Sequence, residues 1–149
     1  MKIIEYFESE NKEYWLSQIA KSDWGAGQYL SYLVKENKLF ELVGERARVL
    51  MLIKGNELIS FCTLAEADDV QPTLLTPWIG WIYTFPQHRG KRLAGRLLMH
   101  AEALAKKEGA PHTYISTNHI GLYEKYGYEF FEEAKDVEGE STRVYRKSL

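Results

Sequence analysis

The stretch that most constrains this chain runs from Trp78 to Leu98. Trp78-Ile79-Gly80-Trp81-Ile82-Tyr83-Thr84 is a run of strand formers. Phe85-Pro86 closes it, and Gln87-His88-Arg89-Gly90-Lys91-Arg92-Leu93-Ala94-Gly95-Arg96 leads into a helix. Leu93, Leu97, Leu98, Ala101, Leu104 and Ala105 recur at three- and four-residue intervals, which predicts an amphipathic helix over about 91–108. Gly109 stops it and Pro111 follows. A strand, a tight basic turn and a helix start form an arrangement suited to anions. The first helical N–H groups are unpaired and the dipole is positive there. Arg89, Lys91, Arg92 and Arg96 add formal charge at the same place, and Ala94 and Gly95 allow close approach to the backbone. The residues alone leave two readings open: an anion site, or an ordinary strand-to-helix loop with solvated basic residues.

Around this unit the strand and helix patterns alternate. Lys2 to Tyr6 reads as a strand. Asn11 to Lys21 and Gln28 to Glu36 read as helices with apolar faces Trp15, Leu16, Ile19 and Tyr29, Leu30, Leu33, Val34. Arg46 to Lys54 and Glu57 to Ala65 read as a hairpin turning at Gly55-Asn56. Glu66 to Pro77 is a polar, proline-bounded loop. Thr113 to Thr117 is a strand, about 119–126 a short helix, and 128–133 and 142–147 two last strands. This order implies an α+β layered fold with a central mixed, mostly antiparallel sheet flanked by helices. With 149 residues and no linker or repeat, 1–149 is expected to form one domain.

Two segments together resemble the GCN5-related N-acetyltransferase (GNAT) superfamily. Arg89-Gly90-Lys91-Arg92-Leu93-Ala94 is similar to its Gln/Arg-x-x-Gly-x-Gly/Ala turn. Arg92 stands where the family most often has glycine, which asks its backbone to keep a negative φ and its side chain to point to solvent. Asn118-His119-Ile120-Gly121-Leu122-Tyr123-Glu124-Lys125-Tyr126-Gly127-Tyr128 is similar to a later family segment, with Tyr128 in place of the usual phenylalanine. The similarity is good over about residues 46 to 133 and poor before that. It implies an acetyl-CoA-dependent N-acetyltransferase acting by direct attack of a primary amine in a ternary complex. By resemblance, backbone groups of Ile82, Tyr83 and Thr84 hold the pantetheine arm. Those of Arg89, Gly90, Lys91, Arg92, Leu93, Ala94 and Gly95 hold the pyrophosphate. Asn118 contacts the pantetheine region, and Tyr123 donates a proton to the leaving thiolate. A tyrosine, with its ordinary pKa near ~10, is protonated at neutral pH. Its hydroxyl could instead only hold the sulfur in place.

The acceptor side is less defined. Family members often carry a catalytic carboxylate on the strand before the turn, and Trp78 to Thr84 has none. Glu66, Asp68 and Asp69 in the preceding loop could attract a cationic amine or simply be solvated. His119 could titrate near neutrality or be a helix-start residue. Asp23 and Trp24 could hold an ammonium by charge and cation–π attraction, or cap the second helix and pack into the core. Tyr126 and Tyr128 read as core aromatics. The acceptor itself, a small-molecule or peptide amine, is not chosen by the sequence.

Several classes are set aside. A net charge of −2 argues against general nucleic-acid binding. No apolar run suggests a membrane span and the N-terminus has no signal-peptide pattern. The single cysteine, Cys62, forms no intramolecular disulfide, reads as a buried thiol and suits a reducing compartment, so a cytoplasmic enzyme is expected. His88, His100 and His112 lack metal-ligand spacing, so no metal is expected. Neither Gly-x-x-x-x-Gly-Lys-Ser/Thr nor a dinucleotide glycine motif is present, which weighs against a nucleotide-binding domain. A non-catalytic acyl-CoA-binding sensor stays as the alternative. A monomer and a homodimer are both open.

Overall fold

The computed structural model describes all 149 residues. Strands β1 (Lys2–Glu5), β2 (Arg48–Lys54), β3 (Glu57–Ala65), β4 (Trp78–Thr84), β5 (His112–Thr117), β6 (Glu129–Lys135) and β7 (Ser141–Ser148) form one sheet, ordered β1-β2-β3-β4-β5-β7-β6. Every neighbouring pair is antiparallel except β4 and β5. Helices α1 (Lys12–Ala20), α2 (Gly25–Lys35) and α3 (Leu39–Val43) precede β2, and α4 (Leu93–Lys107) joins β4 to β5. The mixed, mostly antiparallel sheet flanked by helices is the expected architecture.

The central strands are apolar on both faces because helices cover both. Along β2, Val49, Met51 and Ile53 face the core shared with Trp15, Ile19, Leu30 and Leu33 of α1 and α2. Leu50 and Leu52 face the other way, against Leu97, Leu98, Ala101 and Ala105 of α4. Burying each large aliphatic side chain stabilises the fold by roughly 1.5–3 kcal/mol. Cys62 lies fully buried on the α4 side, and burial pushes its thiol up to about 12. Its burial is what the sequence context indicated.

Boundaries moved where packing overrode propensity. Helix α2 begins at Gly25 rather than Gln28. Gly-Ala-Gly is a poor helix start by propensity. A Cβ at Gly27, however, would run into the Ser22 side chain and lie 3.3 Å from the Phe61 ring, so only a bare residue lets this turn settle on the sheet. Helix α3, a single turn, was not foreseen in the sequence. The helix expected at 119–126 is only a 3-10 turn, Tyr123–Tyr126, ending at Gly127 with φ +93°.

The feature that makes room for a site is the divergence of β4 from β5. They pair only at Trp78↔Tyr114. Opposite β3, the register passes from Phe61↔Tyr83 to Thr63↔Gly80, so β4 bulges at Trp81, whose φ is +46°. A bulge bends its strand and raises its twist, and here the bend separates β4 from β5 beyond the first pair.

Candidate functional site

Two clefts open at this divergence. The smaller, about 280 Å³, is lined by Ile82, Thr84, His88, Arg89, Gly90, Arg92, Leu93, Ala94, Leu122, Tyr123 and Tyr126. The larger, about 740 Å³, lies between the ends of β4 and β5, α2 and the β6–β7 turn. Its walls include Trp24, Tyr29, Asp68, Asp69, Gly80, Trp81, Asn118, His119, Asp136 and Glu138. Only Ile82 and Tyr123 line both.

The smaller cleft is the basic turn of the sequence. Pro86–His88 forms a 3-10 turn, tied to the β2–β3 hairpin by His88 Nε2 and Glu57 Oε2 at 3.0 Å. Gly90 has φ +81°, and a Cβ there would meet nothing within 4 Å, so its backbone faces open space. Helix α4 has no side-chain cap at its N-terminus. Its Leu93 and Ala94 N–H groups are therefore available to an anion, with the Arg89 and Arg92 side chains beside them. The Gly95 N–H donates to the Arg92 carbonyl at 3.1 Å and the Arg89 N–H to the Pro86 carbonyl at 3.3 Å, which corrects the sequence expectation for those two backbone groups. These observations fit a pyrophosphate.

Arg92 corrects an expectation. Its backbone does not keep a negative φ; it sits in the left-handed region at φ +56°, ψ +29°. The turn thus demands the conformation that glycine adopts freely, and an arginine has been accommodated in it. Its side chain is exposed, as the sequence required. Helix α4 starts at Leu93, so Lys91 and Arg92 precede it. Gly95 is buried for a different reason: a Cβ there would lie 2.7 Å from the Tyr126 ring. Tyr126 is partly buried, packed against the core on one side and lining the smaller cleft on the other, whereas Tyr128 is fully core.

Strand β4 offers its edge to the gap. The Tyr83 carbonyl accepts from Ser60 Oγ at 2.6 Å and the Phe85 N–H donates to Ile59 at 3.0 Å, so odd positions turn toward β3. By strand alternation, Ile82 and Thr84 turn their backbone groups toward the gap. Arg89 Nε donates to the Thr84 carbonyl at 2.8 Å, locking the turn to the strand. The Tyr83 carbonyl is thus committed elsewhere, although the sequence grouped all three residues.

Tyr123 opens the 3-10 turn after β5, and Tyr128 anchors that turn. The Tyr128 N–H donates to the Tyr123 carbonyl at 3.2 Å. The Tyr128 hydroxyl donates to Glu102 Oε2 of α4 at 2.9 Å and lies 2.8 Å from Thr113 Oγ1. Lys147 Nζ pairs with Glu102 Oε1 at 2.9 Å. Burial pushes the Tyr123 phenol up to about 12, so it stays protonated at all ordinary pH values.

The acceptor-side candidates separate. Asp23 caps nothing: Trp24 occupies the N-cap position of α2, and no side chain caps that end. The Asp23 carboxylate instead accepts from the Tyr83 hydroxyl and lies 3.9 Å from Arg89, away from the larger cleft. Burial first, and then that hydrogen bond, raise the Tyr83 phenol. Trp24 stacks on Tyr83 at 5.6 Å and 6° and lines the larger cleft. Glu66 does not line it; its Oε1 accepts from the Arg46 N–H at 2.8 Å, and it packs on Gly44. Asp68 and Asp69 do line it, as do Asn118, whose amide also donates to Ser141 at 3.3 Å, and His119. Asp136 and Glu138 of the β6–β7 turn are additional acids that no local motif marked; only the fold brings them here. No group of His, Cys, Asp and Glu with metal-binding geometry is present, and no helix is long and apolar enough to cross a membrane.

Comparison with known proteins agrees with this layout. The chain is similar to an aminoglycoside 6'-acetyltransferase type Ii, at 17% identity and TM-score 0.74 over 99% of this chain and 97% of that one. It is similar to an aminoglycoside 6'-N-acetyltransferase from Enterococcus faecium, at 14% and 0.72 over 99% and 97%. It is also similar to a GNAT family acetyltransferase from Elizabethkingia anophelis with acetyl-CoA bound, at 14% and 0.68 over 99% and 97%. At such identities these likenesses establish the fold alone. No curated protein sequence matches. The family model described as the Acetyltransferase (GNAT) family matches residues 5–128. With that match across most of its length, the chain belongs to the GNAT acetyltransferase family.

Proposed function

We propose that this chain is an acetyl-CoA-dependent N-acetyltransferase that passes the acetyl group directly to a primary amine in a ternary complex. The observation that carries the reading is the meeting of the two clefts at Ile82 and Tyr123. A basic, uncapped helix start lies on one side and an aromatic, acidic cleft on the other. A thioester bound with its phosphates at α4 would present its carbonyl at this junction to an amine arriving from the larger cleft.

The residues then divide the work. The turn from Arg89 to Gly95 holds the pyrophosphate through the backbone N–H groups between Gly90 and Ala94, the Arg89 side chain and the helix dipole. The open edge of β4 at Ile82 and Thr84 hydrogen-bonds the pantetheine arm and supplies donors to the carbonyl oxygen as charge develops on it. Asn118 lines the larger cleft, on the acceptor side of the junction, rather than the pantetheine region expected for it. Tyr123 hydrogen-bonds the sulfur. Because a phenol held near 12 is a weaker acid than a thiol, its proton crosses only as the C–S bond breaks and charge builds on sulfur. Trp24, Tyr29 and Trp81 give the cleft an aromatic lining suited to a cationic acceptor. The aminoglycoside acetyltransferases among the similar structures make an aminoglycoside the first acceptor to try, followed by polyamines and peptide amines. The single buried thiol suits a cytoplasmic setting.

The test has two stages. Thermal unfolding with acetyl-CoA, and with ATP as control, is expected to rise for acetyl-CoA only. Ligand at a hundred times its Kd adds about 2.7 kcal/mol. Thiol release is then followed across a panel of amines. Stabilisation without thiol release for any amine would make the chain an acyl-CoA-binding module. No stabilisation would remove the assignment of the turn.

A further inference from the structure

Strand β4 brings no carboxylate to the junction, yet a carboxylate stands beside it. A Cβ built on Gly80 would run into the Asp68 carboxyl group, with Cγ 2.7 Å away. Asp68, carried on the β3–β4 loop, therefore fills the volume that a side chain on β4 would occupy, and it faces the larger cleft. We propose that Asp68 takes the proton from the acceptor ammonium before attack, and that Gly80 is the position on β4 that leaves it room. This rests on the transferase reading above.

The loop is built to hold that position. Gln71 Nε2 donates to the Asp68 carbonyl at 2.8 Å and to the Leu42 carbonyl at 3.0 Å. The Ala67 N–H donates to Val43, and the Val137 N–H to the Asp69 carbonyl, at 3.0 and 2.8 Å. Val70 is buried beside Trp78. None of the protein's ion pairs includes Asp68. An aspartate held over the cleft floor without a cation of its own is placed for one that arrives as substrate. Burial, reinforced by the charge of Asp69, pushes its carboxyl up to about 7, which suits proton transfer near neutrality. The other titratable groups facing it across the cleft are Tyr29 of α2, Asp136 and Glu138 from the β6–β7 turn, His119 after β5, and Tyr123.

The step balances as follows. An N–H bond of the ammonium breaks and an O–H bond forms on Asp68, leaving a neutral amine. The nitrogen lone pair attacks the thioester carbon. The C–S bond then breaks, sulfur takes the Tyr123 proton, and Tyr123 recovers one from the protonated amide nitrogen. Asp68 releases its proton to solvent, giving amide, CoA thiol and one proton.

The experiment uses two matched probes at pH 7: ethylamine, which is an ammonium there, and 2,2,2-trifluoroethylamine, which is neutral. Thiol release is followed for wild type, for Asp68→Asn, and for the Asp68→Ala, Gly80→Asp double variant, which moves the carboxylate onto the strand. Acetyl-CoA affinity is measured alongside. Asp68→Asn is expected to lower kcat for ethylamine on the order of 10²-fold, to change trifluoroethylamine turnover less than about threefold, and to leave acetyl-CoA affinity intact. The double variant is expected to recover ethylamine turnover to within about tenfold. Equal loss for both amines, no loss for ethylamine, or no recovery in the double variant overturns the assignment of Asp68. Wild-type protein that binds acetyl-CoA but releases no thiol with any amine of the wider panel, these two included, overturns the transferase reading, and this proposal with it. Where only another panel amine turns over, the same variants are run on it, and an Asp68→Asn loss that does not shrink as pH rises toward that amine's own pKa overturns the assignment of Asp68.

Discussion

Arg92 offers a clean perturbation because it brings both a left-handed backbone and a positive charge to the basic turn before α4. Its φ of +56° places an L-residue in the left-handed region, which costs roughly 1–2 kcal/mol. Replacing it by glycine removes that cost but loosens the unfolded chain, a penalty of roughly 0.5–1 kcal/mol. Comparing Arg92→Gly with Arg92→Ala cancels the charge, which both remove, and the exposed side chain contributes little packing. The pair therefore isolates the backbone. Arg92→Gly is expected to be more stable than Arg92→Ala by about 1 kcal/mol. For a chain this long that is roughly 2–4 °C in Tm, or a corresponding shift in urea midpoint at unchanged m-value. Equal stabilities would refute the left-handed assignment and, with it, the account of how the turn exposes its N–H groups. Both variants lose one exposed cation beside the phosphates and should weaken acetyl-CoA binding by roughly two- to fivefold, an exposed-pair magnitude.

The other expectations follow from the same geometry. Tyr123→Phe should retain acetyl-CoA affinity in a calorimetric titration while turnover falls on the order of 10²-fold; unchanged turnover removes Tyr123 from the mechanism. Gly90→Asp, compared with Gly90→Asn so that the strain of a side chain at φ +81° is common to both, adds a negative charge beside the helix start and should weaken acetyl-CoA binding by about tenfold or more relative to the asparagine variant; equal affinities would overturn the placement of the pyrophosphate. Gly95→Ala gains up to ~1 kcal/mol in helix propensity but forces its methyl onto the Tyr126 ring, an overpacking cost of roughly 1–3 kcal/mol. A net loss of about 1 kcal/mol by urea titration is expected, and a more stable variant would show that the ring gives way freely.

What the sequence made legible was local. Helix α4 and the turn before it follow from leucine spacing, one proline and a cluster of cations within a single segment. The hairpin at Gly55-Asn56 follows from its turn residues. Tyr123 was reachable because its motif is contiguous. The acceptor side was not, because no contiguous segment builds it. Asp136 lies more than sixty residues from Asp69, and the two face one cleft only because β6 and β7 fold back beside β5. Glu66 and Asp68 looked equivalent in the loop, but the Arg46 N–H claims one and Gly80 makes room for the other. The bulge at Trp81 left no mark either, since an indole at φ +46° reads as an ordinary strand residue. Sequence patterns report which face an element buries; they do not report which of several like-charged residues finds a partner at home.

That distinction between a partnered and an unpartnered carboxylate has a thermodynamic signature. Glu108, gripped by Arg48 through two hydrogen bonds of 2.8 Å, has its carboxyl held below the usual range. It stabilises the fold above its unfolded pKa, and that contribution fades as pH falls through the folded value. Asp68 is the opposite case. Its folded pKa of about 7 exceeds its unfolded value of 3.8, so the folded state binds the extra proton. Stability is therefore unaffected by Asp68 below about pH 4, declines as pH rises toward 7, and is fully reduced above that, by at most ~4 kcal/mol. Asp69, also raised by burial, contributes in the same direction. Asp68→Asn keeps the neutral shape and removes the penalty. Its Tm should exceed that of wild type by several degrees at pH 8, and the gain should vanish by pH 4. A carboxylate that served the fold would show the reverse, a loss at pH 8 that shrinks in acid. A residue whose removal stabilises the protein while slowing the reaction is one that the fold tolerates for its chemistry, and a single pair of melting curves at two pH values decides which kind Asp68 is.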